Sequence, residues 1–116
     1  MSQVRSISVE QAQRELAGGA CVLVDVREED ELRKEGFIAG AIHVPRGVIH
    51  LAADPGSAHH VEELDPEAVV LVYCAAGVRS PLAGAVLVSM GFKNVANVEG
   101  GIRAWRAAGL PVERIA

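Results

Sequence analysis

The sequence predicts an α/β domain, with roughly five strands in a mostly parallel sheet and helices on both faces. Three observations carry this. Two apolar runs, Val22-Leu23-Val24-Asp25-Val26 and Val69-Val70-Leu71-Val72-Tyr73, are short and nearly continuous, as expected for strands inside a parallel sheet. Strand patterns alternate with helical patterns along the whole chain. The 116 residues, half of them hydrophobic, fit one domain over residues 1–116.

Taken in order, Ser6-Ile7-Ser8 is a short extended entry. Ser8-Val9-Glu10-Gln11 matches a capping box, and Val9, Ala12 and Leu16 follow at helical spacing until Gly18-Gly19 stops the helix. After the strand at 22–26, Glu29 to Glu35 is a short charged helix with acids early and bases late. Glu29/Arg33 and Asp30/Lys34 are spaced as i,i+4 pairs, and this charge run reads as a solvated face. Gly36 ends it. Ala41-Ile42-His43-Val44 is the next strand, closed by Pro45. A short helix is expected near Gly47–Ala52, followed by a surface loop with turn signals at Asp54-Pro55-Gly56 and Asp65-Pro66. The strand at 69–73 leads into a loop and then a helix from Pro81 to Met90, with Gly91 after it. Val95-Ala96-Asn97-Val98 is the last strand. Gly100-Gly101 opens a final helix, Ile102–Ala108, stopped by Gly109 and Pro111.

Composition narrows the function classes. Aromatic residues are 3% of the chain, so the core is built from Val, Ala, Leu and Ile. A net charge of −4 argues against nucleic acid as a partner, because phosphate binding needs clustered Lys and Arg. No apolar stretch approaches the roughly 20 residues that span a bilayer, which argues against a membrane protein. Met1-Ser2-Gln3-Val4-Arg5 has no apolar segment of the kind a signal peptide needs. The two cysteines have neither disulfide-framework nor metal-ligand spacing, which points to a reducing cytoplasm.

The segment Tyr73-Cys74-Ala75-Ala76-Gly77-Val78-Arg79-Ser80-Pro81 carries the chemistry. An apolar strand ends on a cysteine, a glycine loop follows, and Ser80 and Pro81 stand where N-cap and first helical residue are favoured. Inward-pointing loop N–H groups and a helix N-terminus both favour thiolate over thiol, so Cys74 is placed to be a nucleophile. Cys21 opens an apolar run with no such loop behind it and reads as packing. His50, His59 and His60 lack the spacing of a tetrahedral set, so no metal is expected and they read as surface-loop residues. His43 and Trp105 read as packing.

In open α/β sheets the functional crevice lies beyond the carboxyl ends of the strands. Asp25, Arg27, His43, Cys74, Arg79 and Glu99 with Gly100-Gly101 all fall there. The chain resembles the single-domain rhodaneses, a sulfurtransferase family, in four segments that follow the family order. They are Asp25-Val26-Arg27-Glu28, the stretch Gly36-Phe37-Ile38-Ala39-Gly40-Ala41-Ile42-His43-Val44-Pro45, the loop Cys74–Ser80, and Val98-Glu99-Gly100-Gly101-Ile102-Arg103-Ala104-Trp105. The resemblance implies a rhodanese-like fold and a two-step transfer. Cys74 takes the outer sulfur of thiosulfate or a persulfide donor as a persulfide, and cyanide or a thiol, including one on a protein, removes it. The implied partners are thus a small anionic sulfur donor and a nucleophilic acceptor, with no cofactor.

The residue chemistry agrees with that implication. A persulfide is an anion at neutral pH, and loop N–H groups from Ala75, Ala76, Gly77, Val78, Arg79 and Ser80 can surround it. Gly77 can take φ > 0 and let the loop curl. Arg79 could neutralise an anionic donor, but it reads mainly as a lock on the loop through Asp25 or Glu99. Asp25 reads as hydrogen-bond support behind the loop. Arg27 reads as architectural, paired with Glu28 or another neighbouring acid.

The chain departs from the family pattern at two points. Phe37 stands where the family often has His, with little consequence expected for chemistry. Apart from Arg79 the loop has no cation, which makes a thiosulfate dianion a weaker fit and a persulfide-bearing thiol or protein a fair alternative. A phosphatase-type anion loop sets its Arg one position farther from the cysteine. Here Arg79 follows Cys74 by five positions, a tighter cradle that suits a single sulfur atom. Phosphatase or arsenate reductase chemistry therefore ranks below sulfur transfer. A rhodanese-like binding or regulatory module without turnover is the alternative from a different class.

Overall fold

The computed structural model describes residues 4–115; Met1 to Gln3, part of the segment weighed above as a signal peptide, lie outside the described residues, as does Ala116. The elements are β1 (Arg5–Ile7), α1 (Val9–Ala17), β2 (Cys21–Asp25), α2 (Glu29–Glu35), β3 (Ile42–His43), a 3-10 turn (Arg46–Val48), α3 (Ile49–Ala53), β4 (Val69–Tyr73), α4 (Ser80–Ser89), β5 (Asn94–Val98) and α5 (Gly101–Ala107). The five strands form one sheet in the order β1-β5-β4-β2-β3, and every strand pair in it is parallel. The predicted fold class holds.

Side-chain alternation along each strand divides the core between the two faces. Val24, Val70, Val72 and Val95 pack with Ile49, Ala52 and Ala53 of α3 and Ala83 and Leu87 of α4. On the opposite face Leu23, Leu71, Tyr73, Ala96 and Val98 pack with Val9 and Ala12 of α1 and Ile102 and Trp105 of α5. The same alternation decides which polar side chains can meet at the strand ends. Cys74, just past β4, falls on the α4 face with the buried thread of Val70 and Val72. Asp25, in register with Tyr73, falls on the other.

Local expectations hold with particular differences. Ser8 caps α1 by accepting from Gln11 N–H at 3.1 Å, but the Gln11 side chain donates to Glu15 at 3.2 Å, so only half of the capping box forms. Of the i,i+4 pairs on α2, Glu29–Arg33 closes to 3.7 Å between exposed side chains, while Asp30–Lys34 is not among the ion pairs of the described residues. Phe37 joins Glu113 in an isolated antiparallel bridge, which straps the C-terminal segment across the end of α2. Trp105 is buried, and its indole N–H donates to Pro111 O at 2.8 Å.

Candidate active site

The loop begins where β4, the middle strand, ends. Its first two carbonyls are fixed from outside: Ile102 N–H donates to Cys74 O at 2.9 Å and Arg103 N–H to Ala75 O at 3.1 Å. The first turn of α5 therefore seats the base of the loop. That approach requires glycine at Gly101, which has φ +59°, and whose added Cβ would stand 2.2 Å from Cys74 O and 2.8 Å from the Ala75 carbonyl. Gly77 turns the loop at φ +85°, and a Cβ there would meet Gly100 N at 2.9 Å.

Cys74 is 1% exposed. Gly77 N–H donates to its Sγ at 3.1 Å, and the N–H groups of Arg79 and Ser80 also point to the sulfur. The remaining loop residues, Ala75, Ala76 and Val78, are not among its hydrogen-bond partners, so the ring of amides around the bare thiol is narrower than the sequence suggests. Ala76 and Val78 lie exposed above it. Burial alone pushes the Cys74 thiol up, but the Ser80 hydroxyl and the N–H groups of Ser80, Arg79 and Gly77 outweigh that and hold it below the ordinary thiol value. Cys21, half-buried in β2, goes the other way: burial, helped by Glu15, pushes its thiol up. The pH profile of iodoacetamide alkylation at Cys74 should accordingly have its midpoint below the about 8.5 of free cysteine. Ser80→Ala should move it upward, and a profile unmoved by that change would contradict the role of the hydroxyl.

Ser80 corrects one expectation. The helix starts at Ser80 with Arg79 as its N-cap residue, and the serine side chain does not cap it. The hydroxyl is buried instead, 2.5 Å from Asn97 Oδ1 and 3.5 Å from Cys74 Sγ. It has one proton and two neighbours, so Asn97 competes with the sulfur for it. Strand alternation brings Asn97 to this face, next to Val72 in register. Sequence reading passed over Asn97, although a lone amide inside an apolar strand is itself a signal of a buried polar role.

Arg79 is the second correction. Its Nη1 and Nη2 donate to the two carboxylate oxygens of Glu31 at 2.5 and 2.7 Å, not to Asp25 or Glu99. This bidentate hydrogen bonding holds the Glu31 carboxyl at about 2, so the pair is ionised throughout the neutral range. Glu31 sits in the charge run read as a solvated face, and nothing in its local spacing separates it from its neighbours. Glu99 is exposed, and its N–H donates to Ile7 O at 2.8 Å at the end of the β1–β5 pair.

Asp25 and Arg27 form their own buried unit away from the thiol. Asp25 accepts from Arg27 N–H and Nε at 3.0 Å and from Nη2 at 2.7 Å, and Nη2 also donates to Gly36 O at 2.8 Å. The guanidinium lies over the Tyr73 ring, 5.7 Å from its centroid, and the Tyr73 hydroxyl accepts from Ile38 N–H at 3.1 Å. Of the neighbouring acids, Arg27 thus pairs with Asp25 and not with Glu28, whose N–H donates to Glu31 Oε1 at 3.2 Å at the start of α2. Asp25 supports the turn after α2 and the strand end, not the 75–80 loop. His43 Nε2 lies 2.7 Å from Arg27 O on the same edge.

This geometry is a thiol under a glycine loop at the carboxyl end of a central parallel strand, seated by a Gly-Gly helix start. The rhodanese-like domain profile matches residues 8–108. The chain belongs to the rhodanese-like family. It is 38% identical over 107 residues to the thiosulfate sulfurtransferase GlpE of Pseudomonas entomophila, covering 92% of this chain and 89% of that one. Among solved structures, the human single-domain sulfurtransferase TSTD1 superposes with a TM-score of 0.80 at 25% identity, covering 90% of this chain and 96% of that one. A Rhodopseudomonas palustris protein of unknown function, described as a possible tyrosine phosphatase, superposes at 0.88 with 33% identity, covering 95% and 85%. As in the sequence reading, this rhodanese-like chain carries a cysteine at the head of the loop and an arginine five positions later.

Proposed function

We propose that the protein is a sulfurtransferase that carries sulfane sulfur as a persulfide on Cys74. The observation that carries the reading is the sulfur of Cys74 held by the N–H groups of Gly77, Arg79 and Ser80, in a loop whose arginine follows the cysteine by five positions. In the first step the thiolate attacks the outer sulfur of thiosulfate or a persulfide donor. The donor S–S bond breaks and sulfite, or the donor thiolate, leaves with the electron pair. In the second step cyanide or a thiolate, free or on a protein, attacks the outer persulfide sulfur and releases the Cys74 thiolate. The persulfide moves negative charge one atom outward, toward the loop N–H groups that the bare thiol leaves free. Nucleophile and anion stabilisation both come from the loop, so the reaction draws on no metal or cofactor. The thiosulfate sulfurtransferase relatives support the donor class.

The two free cysteines, Cys21 and Cys74, support a reducing compartment such as the cytoplasm for this chemistry. Among the described residues no helix is long and apolar enough to cross a membrane. The net charge of −4 supports small sulfur donors and acceptors, rather than nucleic acid, as partners.

The binding-module reading is favoured by one observation, the 1% exposure of Cys74, which requires the loop to yield before a donor reaches the sulfur. Intact mass after incubation with thiosulfate separates the two. Gain of one sulfur atom, absent in Cys74→Ser, is the expected result. No gain from thiosulfate or from glutathione persulfide would overturn sulfur transfer and leave the module. The phosphatase reading requires turnover of a phosphomonoester, which the shorter loop disfavours.

A further inference from the structure

We propose that Glu31 sets donor choice: by holding Arg79 in a bidentate pair it cancels the only cation of the loop, so that the site favours sulfane donors of low charge over the thiosulfate dianion. The inference rests on the sulfur-transfer reading above and adds the class of donor to it.

Between Cys74 and Ser80 the loop reads Ala-Ala-Gly-Val-Arg, and Arg79 alone is charged. Its two terminal nitrogens each face one Glu31 oxygen, at 2.5 and 2.7 Å, across 48 positions of sequence. The pair is only partly open to water, with side-chain exposures of 33% and 25%, so neither charge is left to solvent screening alone. A dianion entering the loop finds a neutral pair inside a protein of net charge −4. To use the guanidinium it must displace a carboxylate already bound in the geometry a guanidinium prefers.

The rim of the loop points the same way. Val78 is 75% exposed and Leu82, four positions on in α4, is 56% exposed, so the outer loop and the helix after it put hydrocarbon on the surface. A donor with an apolar body and a single negative charge fits that surface. Benzenethiosulfonate has these properties and gives up its outer sulfur by the same step as thiosulfate. The Cys74 thiolate attacks the outer sulfur, the S–S bond breaks, and benzenesulfinate leaves with the electron pair in place of sulfite.

The test is kcat/KM for both donors with cyanide as acceptor, in the wild type and in Glu31→Gln, at low and high ionic strength. Glutamine keeps the size of the side chain and one acceptor oxygen but frees the charge of Arg79. The ratio of benzenethiosulfonate to thiosulfate is expected to fall about 10-fold or more in the variant, through a gain with thiosulfate. That gain should fade as the Debye length shortens from about 30 Å at 0.01 M salt to about 10 Å at 0.1 M. Val78→Lys leaves the pair intact and adds a cation at the rim, so it should move the ratio in the same direction.

Equal losses for both donors in Glu31→Gln, as a purely structural role would give, overturn the inference if Val78→Lys also leaves the ratio unmoved. Persulfide formation with both donors and a ratio within about 2-fold of wild type in both variants overturns the inference alone. No persulfide from either donor in the wild type overturns the sulfur-transfer reading and this inference with it.

Discussion

Asp25→Ala is expected to cost about 3–5 kcal/mol of folding stability, a large share of the roughly 5–15 kcal/mol that holds a domain together. Asp25 and Arg27 are both 0% exposed. The carboxylate is the acceptor for the Arg27 N–H, Nε and Nη2, and removing it strands a buried guanidinium whose remaining hydrogen-bond acceptor is Gly36 O. The Tyr73 ring beside it offers a π face but no full counter-charge. The size of the loss therefore reflects an uncompensated charge, not the net worth of the ion pair. Removing both partners, Asp25→Ala with Arg27→Leu, should recover part of the loss because no charge is then left behind. Urea unfolding followed by circular dichroism measures both variants. A single-mutant loss below about 1 kcal/mol, or a double mutant less stable than the single, would contradict this account.

The second large effect is at Gly101. Gly101→Ala should lower the rate of persulfide formation at Cys74 by about 100-fold or more, because the loop must move to admit one methyl group. The added carbon would stand 2.2 Å from Cys74 O and 2.8 Å from Ala75 O, both backbone atoms at the root of the loop, and the residue has a positive φ besides. The hydrogen bonds from Ile102 and Arg103 that seat those carbonyls would be lost or displaced. Gly47→Ala is the comparison: a Cβ there meets nothing within 4 Å, and its rate should match the wild type. Stopped-flow or quenched mass measurement of persulfide formation reads the difference. A Gly101→Ala rate within about 3-fold of wild type, in a folded protein, would show that α5 does not fix the loop.

Particular elements show how much of this could be read in advance. The runs at 22–26 and 69–73 became β2 and β4 because a strand buried on both faces has a composition that needs no partner to recognise it. The loop from Cys74 to Ser80 was legible for the same reason: thiol, glycine, arginine and helix start are adjacent in sequence. Asn97 was legible in principle, as a lone amide in an apolar strand, and was not used.

Glu31 was not legible at all. Its neighbours on α2 are also charged, and only the folded chain distinguishes the one acid that reaches Arg79 from those that meet water. Glu99 shows the reverse, a carboxylate close to the site in sequence whose side chain the fold leaves exposed.

The sequence by itself determined the strands and helices to within a few residues, and the loop with its thiol, because these depend on periodicity, turn residues and neighbours within a few positions of one another. Only the tertiary structure decided which charges far apart in the sequence meet. Asp25 and Cys74 leave neighbouring strands on opposite faces of the sheet, so each takes partners from a different side of the core. Ion pairs form between side chains that the packed faces bring within hydrogen-bonding reach, and a distance of 48 positions along the chain carries no local signature of that encounter.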